Sequence, residues 1–162
     1  MRHRSVCRGR HGAVLVEGAI VYPVFLMLIF MLIIGGMGVF RYQQVACLAR
    51  EAARYAAVHG SGWHKETGQT CPTSSAILQN AVLPLAVGMD PNNLAMQVQW
   101  VGQVSGTMQT WDSVSKHPLS VNTSNQGVVN RVRVTVTYQW TPQLYLVGSI
   151  NLQSTCEIPM SF

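Results

Sequence analysis

The sequence predicts an α+β protein: a long N-terminal membrane-spanning helix continues into an amphipathic half that packs on a small antiparallel sheet. Three observations predict it. Residues 18–40 form an apolar run with no Asp, Glu, Lys or Arg. Residues 41–58 place Val45, Leu48, Ala49, Ala52, Tyr55 and Ala56 at three- and four-residue spacings, one apolar face on a helix. Residues 94–101 and 128–140 alternate apolar and polar side chains, the period of a strand with one face covered.

The run sets the first element. Its 23 residues would reach about 35 Å as a helix, against roughly 30 Å for the hydrocarbon core of a bilayer. A cleaved secretory signal has a shorter apolar region and ends at a small-x-small site. Here the run leads straight into another helical pattern, and Gln44, Val45 and Ala46 before Cys47 do not make a lipoprotein site. The helix is therefore expected to stay in the chain, from residue 13 to about residue 59. Pro23 removes a backbone donor and predicts a kink. Gly35, Gly36 and Gly38 lower helix propensity in mid-run; they serve close helix packing or local extension, or are simply the glycine common in membrane helices.

Charge orients this helix. The formal net charge of +5 suggests a nucleic-acid partner, but Arg2, Arg4, Arg8 and Arg10 all precede Gly12. Without these four the chain has seven basic residues against six acids, so the remainder is near neutral. A short basic head before an apolar helix is a topology signal, with the N-terminus cytoplasmic and the C-terminal bulk exported. Charged residues make up only 10% of the chain and hydrophobic ones 48%, too apolar for an ordinary cytosolic protein. The expected organisation is a leader (1–12), a transmembrane helix (13–40), its amphipathic continuation (41–59) and an exported α+β domain (60–162).

Beyond the membrane run, Glu51 can meet Arg54 or Tyr55 on the helix flank, and Gly60 serves as a C-cap. Residues 61–73 read as a loop. Ser74 or Ser75 caps a short helix that Pro84 bends or ends. Residues 102–126, rich in Ser, Thr, Asn and Gly, read as a long exposed connection. In the strand 128–140, Val132, Val134, Val136 and Tyr138 oppose Arg131, Arg133, Thr135 and Thr137, and residues 149–158 repeat the pattern after a connection at 141–148. The stripe on residues 45–56 is the nearest cover for the apolar sheet face.

Of the four cysteines, Cys7 lies in the head, while Cys47, Cys71 and Cys156 lie on the exported side, where disulfides persist. Cys71 and Cys156 are the candidate bridge, because Cys47 sits on the helix near the membrane; three free thiols are the alternative.

Chemistry has little support. His59, His64, Glu66 and Cys71 fall close together in sequence but match no zinc spacing. No phosphate loop, G-x-S-x-G or C-x-x-C occurs. Arg131 and Arg133 make a weak nucleic-acid footprint, and the solvated face of a sheet has the same composition. The chain is expected to be no enzyme, with no catalytic residues, no metal, no cofactor and no nucleic-acid partner.

The residues that discriminate are at the start. Glu17 is a carboxylate at the mouth of an apolar helix, where charge is expensive and usually functional. The basic head ending in Gly12, followed by Ala-Val-Leu-Val-Glu and the apolar helix, resembles a type IV prepilin. In that family a membrane peptidase cuts after the glycine, and the fifth mature residue is glutamate. A narrower resemblance is to the TadE-like minor pilins or pseudopilins of tight-adherence (Flp) pilus systems. Gly12, Ala13, Val16, Glu17, Ala19 and Pro23 match its opening pattern; Ala49, Arg50, Glu51, Ala53, Arg54, Tyr55 and Ala56 match its helix-closing stretch. The ending, residues 132–160, also looks like that family's terminal pair of strands. Gly18 departs from the aromatic or larger apolar residue usual after the glutamate.

The resemblance implies processing between Gly12 and Ala13, and assembly roles for Glu17 and Pro23. It implies a prepilin peptidase, other pilin or pseudopilin subunits, inner-membrane pilus assembly proteins and lipid as partners. The main filament pilins of these systems are nearly all helix, so an added α+β domain implies an accessory subunit. The alternatives are a signal-anchored periplasmic adhesive or envelope domain, and a pseudopilin of a type II secretion or DNA-uptake system.

Overall fold

A computed structural model describes residues 11–142 and 148–161. The basic head, with Cys7, and the middle of the connection 141–148 lie outside the described residues. Two compact units divide the chain, Met1–Val39 and Phe40–Phe162.

Helix α1 (His11–Val58) runs unbroken through Pro23 and the glycines. In the first unit its side chains are exposed almost throughout, Leu32 at 77% and Leu15 at 72%. The most apolar 18-residue window has a mean hydropathy of 2.5, and none of that window is buried. A helix that is apolar all round and covered by nothing is long and apolar enough to cross a membrane.

In the second unit α1 changes character. Val45, Leu48, Ala49, Ala52, Ala53 and Ala56 are at most 1% exposed, while Arg50 and Arg54 face solvent. The stripe is the predicted one with a correction: Ala53 and Ala57 join it, and Tyr55 moves to its margin, stacked on His59 at 4.1 Å. Five alanines in the stripe leave little side chain above the backbone, so whatever covers it can approach closely.

Four strands form the main sheet: β1 (Leu94–Val101), β2 (Met108–Thr110), β5 (Arg131–Trp140) and β6 (Ile150–Pro159), in the order β2-β1-β5-β6. The pairings among them are antiparallel. Val98, Val134 and Cys156 stand in register on one face, and Gln99, Arg133 and Glu157 on the other. On the first face Val98, Val132, Val134, Val136, Tyr138 and Trp140 are buried, and with the α1 stripe they make the core of the unit. A separate hairpin pairs β3 (Leu119–Val121) with β4 (Gly127–Val129).

Three sequence expectations change. Residues 61–67 are not loop but helix α2 (Ser61–Thr67). Gly60 does not cap α1 from behind; it turns the chain and serves as the N-cap of α2, which ends at Gly68 in the left-handed conformation (φ 71°). The Ser61 amide donates to the Lys116 carbonyl at 3.1 Å, a tertiary bond that overrides the Ser-Gly break signal. Second, α3 (Ser74–Ile77) is capped by Thr73, one residue earlier than expected, whose hydroxyl accepts from the Ala76 amide. It continues as a π-helical turn to Val82 and a 3-10 turn holding Pro84.

Third, residues 102–126 are not merely an exposed connection. They contain β2, β3 and Trp111, which is completely buried and donates its indole N–H to the Pro72 carbonyl at 2.8 Å. Its neighbour Asp112 accepts from the amide and hydroxyl of Ser74 and so fastens the start of α3. The predicted strand 128–140 is likewise broken at Asn130, also completely buried. Its amide nitrogen donates to the His117 carbonyl at 2.9 Å and to Ser120 Oγ at 2.8 Å, and its amide oxygen accepts from the Gln103 amide at 3.2 Å. Asn130 thereby ties two connections and strand β3 to the start of β5.

Candidate functional site

Helix α1 is described from His11, and the Gly12–Ala13 bond lies within it. Space around Gly12 is open: a methyl group built on it would meet nothing within 4 Å. Glu17 is exposed. It follows Ala13 by four residues, one helical turn or about 6 Å along the axis, on the same face. A backbone amine made at Ala13 would therefore have a carboxylate one turn away.

At Gly18, which departs from the pattern of the resemblance, a neighbouring aromatic ring lies close. The ring of Tyr22 folds over it, and a methyl group added to Gly18 would stand 3.1 Å from Tyr22 Cε2. Aromatic bulk is present beside Glu17, supplied from one turn further along the helix. Pro23 follows immediately, inside α1.

The closing motif is explained by burial. Ala49, Ala53 and Ala56 lie in the core, whereas Arg50, Glu51 and Arg54 lie outside it. Arg54 approaches Glu51 at 3.7 Å, as the spacing predicts, with both side chains largely exposed and worth little to stability. The motif thus describes a helix that buries alanine against a domain and turns charge outward.

Other candidate residues have structural partners. His59 Nδ1 meets the Tyr55 carbonyl at 2.7 Å, His64 Nδ1 meets the Gln69 carbonyl at 2.6 Å, and the Cys71 thiol donates to the Gly60 carbonyl at 3.3 Å. The Cys71–Cys156 bridge is not formed, and both are free thiols, as is Cys47. Cys71 lies on the connection between α2 and α3 with its thiol on the Gly60 carbonyl, whereas Cys156 lies mid-strand in register with Val134. No group of three His, Cys, Asp or Glu side chains is placed to hold a metal among the described residues.

Arg131 and Arg133 converge on Glu157, whose partnership was not legible from sequence. Arg133 Nη2 lies 2.7 Å from Oε2 and Arg131 Nη1 3.3 Å from Oε1. Hydrogen bonds from Arg133, then those from Arg131 and the nearby positive charges, hold the Glu157 carboxyl below the usual carboxylate range despite its partial burial.

A described helix long and apolar enough to cross a membrane, with one carboxylate near its start and a small antiparallel sheet after it, defines an α+β protein. Residues 12–54 match the family model of the TadE-like proteins. The match covers the opening motif and the closing motif as far as Arg54, and it ends before α2 and the six described strands. Comparison with curated proteins and with solved structures returned no match.

Proposed function

We propose that this chain is a non-enzymatic minor pilin or pseudopilin that takes part in assembling a Tad/Flp-type pilus. The observation that carries the reading is the Gly12–Glu17 spacing at the head of a helix whose segment 12–54 is TadE-like. A membrane peptidase would cut after Gly12 and release a charged amine at Ala13. Glu17, one turn on or from a neighbouring subunit, would neutralise that amine where water is scarce, a setting in which an unpaired charge is costly. Helix α1 would hold the subunit in the bacterial inner membrane with its head in the cytoplasm and its sheet domain in the periplasm or beyond. Its partners would be the prepilin peptidase, other pilin helices and the inner-membrane assembly machinery.

The sheet domain supports an accessory place rather than a shaft place. It adds a four-stranded sheet and a hairpin to a helix that could pack alone in a filament. The test is Glu17→Ala in the native organism. Membrane insertion should persist while incorporation into the pilus machinery falls; normal piliation in this variant contradicts the role given to Glu17. Retained function in a strain lacking the peptidase would favour a plain signal-anchored envelope domain.

A further inference from the structure

We propose that residues 84–88 form a lipid contact through which the exported unit rests on the membrane that α1 leaves. The proposal builds on the reading of residues 18–40 as membrane-spanning. Arg41 is the first charged residue after that run, so on this reading its level on α1 is the level of the lipid headgroups.

The loop is tied to that level. Arg41 Nη1 donates to Gln44 Oε1 at 2.8 Å and reaches the Val87 carbonyl at 3.5 Å, and Gln44 Nε2 reaches the same carbonyl at 3.4 Å. Gly88 adopts φ 68°, and a methyl group on it would stand 3.6 Å from Arg41 Nη2, so chain and guanidinium lie against each other.

Composition and exposure then point outward. Residues 81–89, Ala-Val-Leu-Pro-Leu-Ala-Val-Gly-Met, contain no polar side chain. Ala86 and Met89 are buried, only 8% and 7% exposed, while Leu85 and Val87 are 49% and 72% exposed. The inner residues fix the loop to the core, and the outer ones present apolar surface with a backbone braced by Arg41 and Gln44. The exposed turn at 122–126, Asn-Thr-Ser-Asn-Gln, shows what a solvated connection of the same unit looks like.

A bilayer is favoured over a protein partner by what flanks Arg41, the side chain the loop lies against. Phe40 and Tyr42, 58% and 48% exposed, bracket Arg41. Aromatic rings beside a guanidinium are the composition that settles at headgroup depth. Shallow insertion of two aliphatic side chains beside them would restrain how the sheet domain tilts above the membrane.

The test places the photoreactive residue p-benzoylphenylalanine at position 87 of the full chain, reconstituted in phosphatidylethanolamine–phosphatidylglycerol vesicles, and identifies the adducts by mass. Position 28, in mid-run, and position 124, on the polar turn, are parallel references. Lipid adducts at 28 and 87 with a loss to background at 124 are expected. Lipid adducts at 28 with none at 87, or with only protein adducts there, overturn the proposal and leave the membrane helix standing. Absence of lipid adducts at 28 overturns the membrane reading itself, and the proposal with it.

Discussion

Glu157 on β6 stands opposite Arg133 on β5 and divides its carboxylate between Arg133 on one oxygen and Arg131 on the other. The arrangement accounts for the exposed arginines of the sheet by internal pairing. Because the three side chains remain partly exposed, the ion pairs contribute at most about 1 kcal/mol.

The pairing predicts a pH dependence with a definite sign. The folded carboxyl of Glu157 sits below its ordinary value, so the unfolded chain binds the proton more readily. The contribution is complete above the usual carboxylate range and is lost as pH falls through the lowered folded value. A side-chain NMR titration should give Glu157 a midpoint below the usual carboxylate range, and Arg133→Gln should move it upward. An unchanged midpoint in the variant would remove the pairing as its cause.

Asn130 makes a second prediction. Its side chain is fully buried and joins His117, Ser120 and Gln103. Asn130→Ala leaves those groups unmatched, each costing about 1–3 kcal/mol where water cannot replace the amide. Denaturant unfolding of the detergent-solubilised chain should show a lower midpoint. Thr123→Ala, on the exposed turn nearby, should leave the midpoint in place.

Trp111 is the largest fully buried side chain described. Trp111→Ala is expected to cost about 3–5 kcal/mol. Trp111→Phe keeps most of the apolar volume and loses the hydrogen bond to Pro72, so its cost should be smaller. Equal losses in the two variants would show that the indole N–H, rather than the packing, carries the effect.

The alanine stripe predicts intolerance to size. Ala53→Leu puts three extra carbons into a position with no exposure, at about 1–3 kcal/mol. Arg50→Leu, on the solvent side of the same turn, should stay within about 0.5 kcal/mol. Thermal unfolding followed by near-ultraviolet circular dichroism separates the two.

These particular residues also show where the sequence was legible. The two-part helix and strands β1, β5 and β6 followed from periodicity, because lipid and a one-sided core each impose a pattern on neighbouring residues. Trp111 and Asn130 were missed because their partners are distant along the chain: Pro72, Gln103 and His117 bear no periodic relation to them. A tryptophan amid Ser, Thr and Asn was the available signal that residues 102–126 contain a core contact. The Glu157 pairing depends on strand register, and helix α2 on a hydrogen bond from Ser61 to Lys116. In the N-terminal site the opposite holds, since Gly12, Ala13 and Glu17 are related by helix spacing alone.

That spacing carries the account of function, and it has a direct chemical readout. The full chain should be co-expressed with a prepilin peptidase and the N-terminus of the mature protein sequenced. The account predicts Ala13 as the first residue. A chain that keeps its basic head, or begins at any other residue, would contradict it.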